Sequence, residues 1–120
     1  MKRDMDLIRD ILKLMEASED PMGAGEITIE GQDPGLVNYH VGLLADANFI
    51  EAINVPSVSG PTVWYPEHIK WEGHEFLAAT SDDSIWDKVK GTVKEKGGAL
   101  PIPILTQLAV GYLKHSLHLP

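Results

Sequence analysis

The sequence predicts an α+β fold, and three observations predict it. Apolar residues recur at helical spacing in several segments, one short stretch alternates strictly, and a turn-rich stretch separates two β-rich arms. The chain has 120 residues, enough for one real hydrophobic core, and its 43% hydrophobic and 23% charged residues are ordinary globular values.

Residues 4–17 read as an amphipathic helix. Ile8, Ile11, Leu12 and Met15 fall at i, i+3, i+4 and i+7, while Asp6, Arg9, Asp10, Lys13 and Glu16 share the other side. Asp4 suits the N-cap, and residues 18–25, with Pro21 and two Gly, end the element. Glu26-Ile27-Thr28-Ile29-Glu30 alternates and predicts a short strand with both isoleucines inward. Gly31, Asp33, Pro34 and Gly35 then break the chain. Residues 36–47 predict a second helix with the stripe Val37, His40, Val41 and Leu44, widened by Leu36, Tyr39 and Leu43. Asn38, Gly42 and Asp46 are its solvent positions, and Asn48 is the left-handed residue that ends it.

Residues 49–55 predict a strand, and 56–61 are turn chemistry. Residues 62–65 and 69–71 form the return arm, interrupted by Pro66, which favours an edge or a bulge. Residues 73–79 predict a short helix presenting Phe76 and Leu77. Thr80 and Asp83 are spaced as a capping box for a further helix with the stripe Ile85, Trp86, Val89 and Val93, stopped by Gly97-Gly98. Pro103 fits the first turn of a last helix that reaches about Leu117.

The order helix, strand, helix, β-hairpin, helices is that of a winged helix with additional C-terminal helices, its three-helix core abbreviated. Residues 1–98 would form the winged-helix-like domain, and 99–120 a helix packing on it or on a second protomer. The expected core comprises Ile8, Leu12, His40, Leu44, Trp71, Phe76, Leu77 and Trp86.

Composition excludes several functions. The absence of cysteine removes disulfides, cysteine zinc sites and thiol nucleophiles together. No apolar run reaches the roughly 20 residues that span a bilayer, and the start carries Lys2, Arg3, Asp4 and Asp6 where an export segment would be apolar. The cytoplasm is therefore the expected compartment, with no membrane partner. Eighteen Asp+Glu against ten Lys+Arg give a formal net charge of −8, which disfavours nucleic acid and anionic lipid. The placement of those charges is more informative. Between Lys13 and Lys70 there is no Lys or Arg, while Glu16, Glu19, Asp20, Glu26, Glu30, Asp33, Asp46, Glu51 and Glu67 fall in that window.

Particular blocks resemble a known family. Residues 1–9, Met-Lys-Arg-Asp-Met-Asp-Leu-Ile-Arg, are similar to the opening of DUF2513, a family of small bacterial and phage or prophage proteins. Residues 38–45 with Phe49-Ile50 look like its central helix. Trp71-Glu72-Gly73-His74-Glu75-Phe76-Leu77 with residues 82–86 looks like its most recognisable block, and Gly97 to Pro101 and Leu105 to Leu117 also fit. The resemblance implies a winged-helix fold and supplies no activity. His68 stands where the family pattern often has a basic residue, so the wing is less basic here.

A winged helix would send residues 36–47 and the hairpin of 51–70 into DNA. Phosphate contact needs Lys and Arg. The helix has none and the hairpin has Lys70 alone, and Asn38 by itself cannot orient a protein on a duplex. A DNA-binding regulator would have to use another face, built from Arg9, Lys13, Lys88 and Lys94.

No catalytic, cofactor-binding or metal-ligating residue is expected. His40 sits on an apolar stripe and reads as a buried structural histidine. His74-Glu75 lacks the second histidine of a zincin, and His115 and His118, three apart, have no carboxylate beside them. Asp82-Asp83 complement a helix dipole, and no serine lies in a nucleophile-elbow context.

The sequence thus predicts a non-enzymatic protein-interaction or regulatory module. Its candidate partner surface is Glu26, Glu30, Asp33, Asn38, Asp46, Trp64 and Tyr65. An acidic mimic of nucleic acid is a third, more specialised version. The last helix, with Leu105, Leu108, Tyr112 and Leu113, covers more than one face and is the candidate homodimer contact.

Overall fold

The computed structural model describes residues 2–20, 23 and 25–120. Expectations that rest on Met1 or on Pro21 as a helix breaker lie outside those residues. Among the described residues the architecture is α+β, with five helices and one two-stranded antiparallel hairpin. The order is α1 (Met5–Ala17), α2 (Pro34–Asp46), β1 (Ile50–Val55), β2 (Val63–Ile69), α3 (Trp71–Thr80), α4 (Asp83–Glu95) and α5 (Ile102–Ser116). The chain divides into two compact units, Met1–His74 and Glu75–Pro120. That boundary lies inside α3, earlier than the one after Gly98 that the glycine pair suggests. Gly97 and Gly98, with φ of 102° and 91°, form a turn between α4 and α5, which pack on each other.

In the first unit α1 begins at Asp4, whose carboxylate accepts from the Leu7 N–H at 3.2 Å. The stripe Ile8, Ile11, Leu12 and Met15 is buried, widened by Leu7. Arg9 departs from the expected solvent side and is only 6% exposed. It lies one position round from Ile8, at the margin of the stripe, where a long aliphatic stem can be covered.

α2 starts two residues earlier than the apolar pattern suggests. Pro34 begins the helix instead of breaking the chain, because its fixed φ suits the first turn, and Asp33 caps it through Leu36 N–H at 3.0 Å. Asn48 ends it with φ of 60°, and the Phe49 N–H closes the motif on the Leu44 carbonyl at 3.0 Å. α1 packs on α2, and His40 joins them. The Asp4 N–H donates to His40 Nε2 at 2.7 Å, so Nε2 is bare, and Nδ1–H donates to the Leu36 carbonyl at 2.8 Å.

The strand expected over 26–30 does not form. β1 pairs with β2 and no third strand joins them among the described residues, so the alternating segment has no ladder to enter. It still buries Ile27 and half-buries Ile29, which is what its alternation reported.

The hairpin register runs from Ile50 opposite Ile69 to Val55 opposite Val63. Ala52 faces Pro66 while Glu51 faces His68, so Glu67 is the extra residue of a bulge beside the proline. Proline has no N–H to offer a ladder, and the bulge absorbs it.

In the second unit α3 buries Phe76, Leu77 and Thr80, and Phe76 meets Trp86 of α4 edge-on, with centroids 6.1 Å apart. Trp71, expected in the core, is 73% exposed. Gly73, Phe76, Leu77 and Thr80 define the inward face at i, i+3, i+4 and i+7, and Trp71 lies two residues, about 200°, round from Gly73. The capping box also fails. Thr80 is buried and donates its hydroxyl to the Phe76 carbonyl at 2.8 Å, while Asp82 caps α4 through Ile85 N–H at 3.0 Å. Leu105 and Ala109 of α5 are fully buried, and Tyr112 Oη lies 2.7 Å from Thr92 Oγ1 of α4.

Candidate functional site

Alternation along β2 sends Trp64 and Tyr65 to opposite faces of the hairpin. Tyr65 shares the outer face with Ile53, Val55 and Val63. Trp64 turns toward α2, where two residues receive it. A Cβ built on Gly42 would lie 2.6 Å from Trp64 Nε1, so the absent side chain is what lets the indole lie on the helix. Gly42 is therefore buried, not a solvent position.

Asn38 is the second tie. Its Nδ2 donates to the Thr62 carbonyl at 2.9 Å, and its Oδ1 accepts from the Trp64 N–H at 2.8 Å. The amide serves as a surrogate strand partner for the start of β2, so it is occupied and does not project as a base reader. Asn38→Ala leaves both backbone groups unmet and should lower stability by about 1–3 kcal/mol, read by urea denaturation. An unchanged midpoint would show that the ties contribute nothing.

Between α2 and the hairpin lies a groove of about 420 Å³ lined by Gly35, Asn38, Tyr39, Gly42, Leu43, Asp46, Pro61 and Trp64. The structure thus brings Asn38, Asp46 and Trp64 together and leaves Tyr65 on the far side of the hairpin. Glu26, Glu30 and Asp33 are exposed but are not part of the lining. Asp33 has a structural task as the α2 N-cap. Gly35, Tyr39, Gly42, Leu43 and Pro61 also line the groove and are not among the residues expected on the partner surface. The signal was present: Gly35, Asn38, Gly42 and Asp46 recur every three or four residues, a second stripe on a helix already credited with one.

Electrostatics sharpen one end of this groove. α2 has no basic residue in its last turn and ends on Asp46, so the partial negative charge of the helix terminus and the carboxylate add. Of the bases assigned to an alternative DNA-binding face, Arg9 is buried and leaves it, Lys13 is half-buried on α1, and Lys88 and Lys94 are exposed on α4 in the other unit. Lys70 Nζ lies 3.2 Å from Glu51 Oε2. The Asp10 carboxyl is raised above its ordinary value, first by desolvation and then by Asp6.

In the second unit, α5 residues Ile104, Gln107, Leu108, Gly111, Tyr112 and His115 line a shallow hollow of about 620 Å³. Leu108 and Tyr112 of the expected dimer contact belong to it. Leu105 does not, because it is fully buried, and Leu113 is half-buried outside the lining. His118 lies beyond α5 in a left-handed conformation, φ 57°, so it is not a helical i, i+3 partner of His115. Among the described residues no three of His, Asp and Glu gather as ligands for a metal, and no helix is long and apolar enough to cross a membrane.

A protein of Haemophilus influenzae named as an uncharacterized protein is 34% identical over 110 residues, 91% of this chain and 92% of its own length. Residues 2–99 match the family described as Hypothetical protein (DUF2513), a span that contains both ties, the groove and the Trp-Glu-Gly-His-Glu-Phe-Leu block. The chain belongs to the DUF2513 family.

Proposed function

We propose that this chain is a non-enzymatic, winged-helix-like binding module of phage or prophage type that works in the cytoplasm and recognises another protein through the acidic surface of its first unit. One observation carries the reading. α2 and the hairpin stand in the order of a recognition helix and wing, yet Asn38 is consumed by the hairpin and no Lys or Arg occurs between Lys13 and Lys70. Nucleic-acid affinity draws much of its strength from phosphate neutralisation, and the one base of those elements is Lys70, at the hairpin's end beside Glu51. Glu26, Glu30 and Asp46 are exposed and complement a basic protein surface.

The test is affinity capture from a host lysate by the wild-type chain and by the triple variant Glu26→Lys, Glu30→Lys, Asp46→Lys. Asp33 is left intact because reversing it uncaps α2. A defined protein held by the wild type and lost by the variant is expected; equal capture by both contradicts the acidic contact.

The same reading pairs the chain with a second copy through α5. No Asp or Glu follows Glu95, so α5 is where two copies of net charge −8 could meet without facing acids. Light scattering should give twice the chain mass, and Ile104→Glu, at an exposed position on the hollow, should return the monomer. A wild-type monomer at high concentration refutes the pairing.

A further inference from the structure

We infer that the groove between α2 and the hairpin is a receptor for a single arginine side chain, presented next to an apolar residue on a segment of the partner protein. The inference rests on the protein-binding reading and adds the chemistry of the contact.

Aromatic side chains wall the groove. Tyr39 is 39% exposed, and Trp64, its indole laid on α2 at Gly42, lines the groove from the hairpin beside Pro61. The Asn38 amide faces the hairpin backbone, so the lining offers aromatic and aliphatic surface with few uncommitted polar atoms. A planar, weakly hydrated guanidinium is the cation that such surface accepts, because it stacks on aromatic faces where an ammonium keeps its water. At about 420 Å³ the groove has room for one long side chain and an apolar neighbour, with Leu43 available to the latter.

Asp46 lies at the end of the lining where α2 terminates, and no basic residue in the last turn answers either the carboxylate or the helix terminus. An arginine seated along the aromatic wall would bring its fork to that carboxylate. Lys70, the base next in sequence to this stretch, lies beside Glu51. The groove therefore holds negative charge that the described residues of the first unit leave for a partner to neutralise.

The probe is the capped peptide acetyl-Leu-Arg-Leu-amide, titrated into isotopically labelled full-length chain and followed by amide chemical shifts. Saturable shifts should be confined to residues 35–46 and 61–64. Acetyl-Leu-Lys-Leu-amide should bind several-fold more weakly, and acetyl-Leu-Gln-Leu-amide should produce no saturable shift. Asp46→Asn should weaken the arginine peptide by about five-fold, a typical loss for one charge-assisted contact at a part-exposed site, while Glu16→Gln on α1 leaves it unchanged. Trp64→Phe keeps an aromatic wall and should retain part of the binding. Shifts spread over the acidic surface, equal binding of the glutamine peptide, or indifference to Asp46→Asn would overturn the inference. A short random duplex titrated into the same sample separates the failures. Duplex shifts on α2 would overturn the protein-binding reading itself, whereas silence from both duplex and peptide would overturn only the arginine receptor.

Discussion

His40→Ala is expected to lower the unfolding free energy by about 3–5 kcal/mol, a large part of the roughly 5–15 kcal/mol that holds a domain of this size. The side chain is fully buried, so its removal leaves a cavity of the kind that alone costs about 2–3 kcal/mol. It also leaves the half-buried Asp4 N–H without its acceptor, which adds about 1–2 kcal/mol, toward the lower end for an unmet donor. The Leu36 carbonyl suffers less, because the helix offers it other donors. His40→Phe separates the two contributions: it restores the volume but not the acceptor, and should lose only about 1–3 kcal/mol. Urea denaturation followed by tryptophan fluorescence measures both. Equal stability of the phenylalanine variant and the wild type would mean that the link from α1 to α2 is packing alone.

Gly73→Ala should cost about 3 kcal/mol, at the upper end for an overpacked core, although alanine is the better helix former. The new Cβ would press on the Phe49 carbonyl oxygen and stand 2.7 Å from Ile69 Cγ2. That carbonyl cannot retreat freely, because it accepts the Lys70 N–H at 2.8 Å where the hairpin closes. Gly91→Ala is the control. It lies inside α4 with nothing within 4 Å of its Cβ position, and should be neutral or stabilising by up to about 1 kcal/mol. Matching losses at the two positions would show that helix interior, not contact, sets the cost.

Helical periodicity made the helices legible, since α1 and α2 bury the stripe their spacing marks and α4 buries Ile85, Trp86 and Val89 of its stripe, with Val93 half-buried. Local backbone chemistry was legible too: Asp4 caps α1, Asn48 turns left-handed, and the chain bulges beside Pro66. What failed required knowledge of a partner in space. The alternation of residues 26–30 encodes one buried face and not a ladder, so it could not reveal that no strand would pair with it. Size and a place at the end of the return arm point Trp71 into the core, whereas it opens α3, and its angular position there decides its exposure. Thr80 and Asp82 are both sound N-cap residues, and only the burial of Thr80 selects between them. The candidate surface divided for a similar reason. Charge could be read as exposure, which Glu26, Glu30 and Asp46 show, but Asn38 and Gly42 are polar or small because the hairpin needs them, not because water does.

If the charge of α2 and the hairpin, and not their place in the chain, decides what they contact, the full chain does not hold nucleic acid. Titration of the full chain with random duplex DNA at low and at moderate salt tests it most directly. No saturable binding is expected at either salt concentration. Tight binding that weakens steeply as salt rises would contradict it, because that slope counts the counterions that Lys and Arg displace from phosphates.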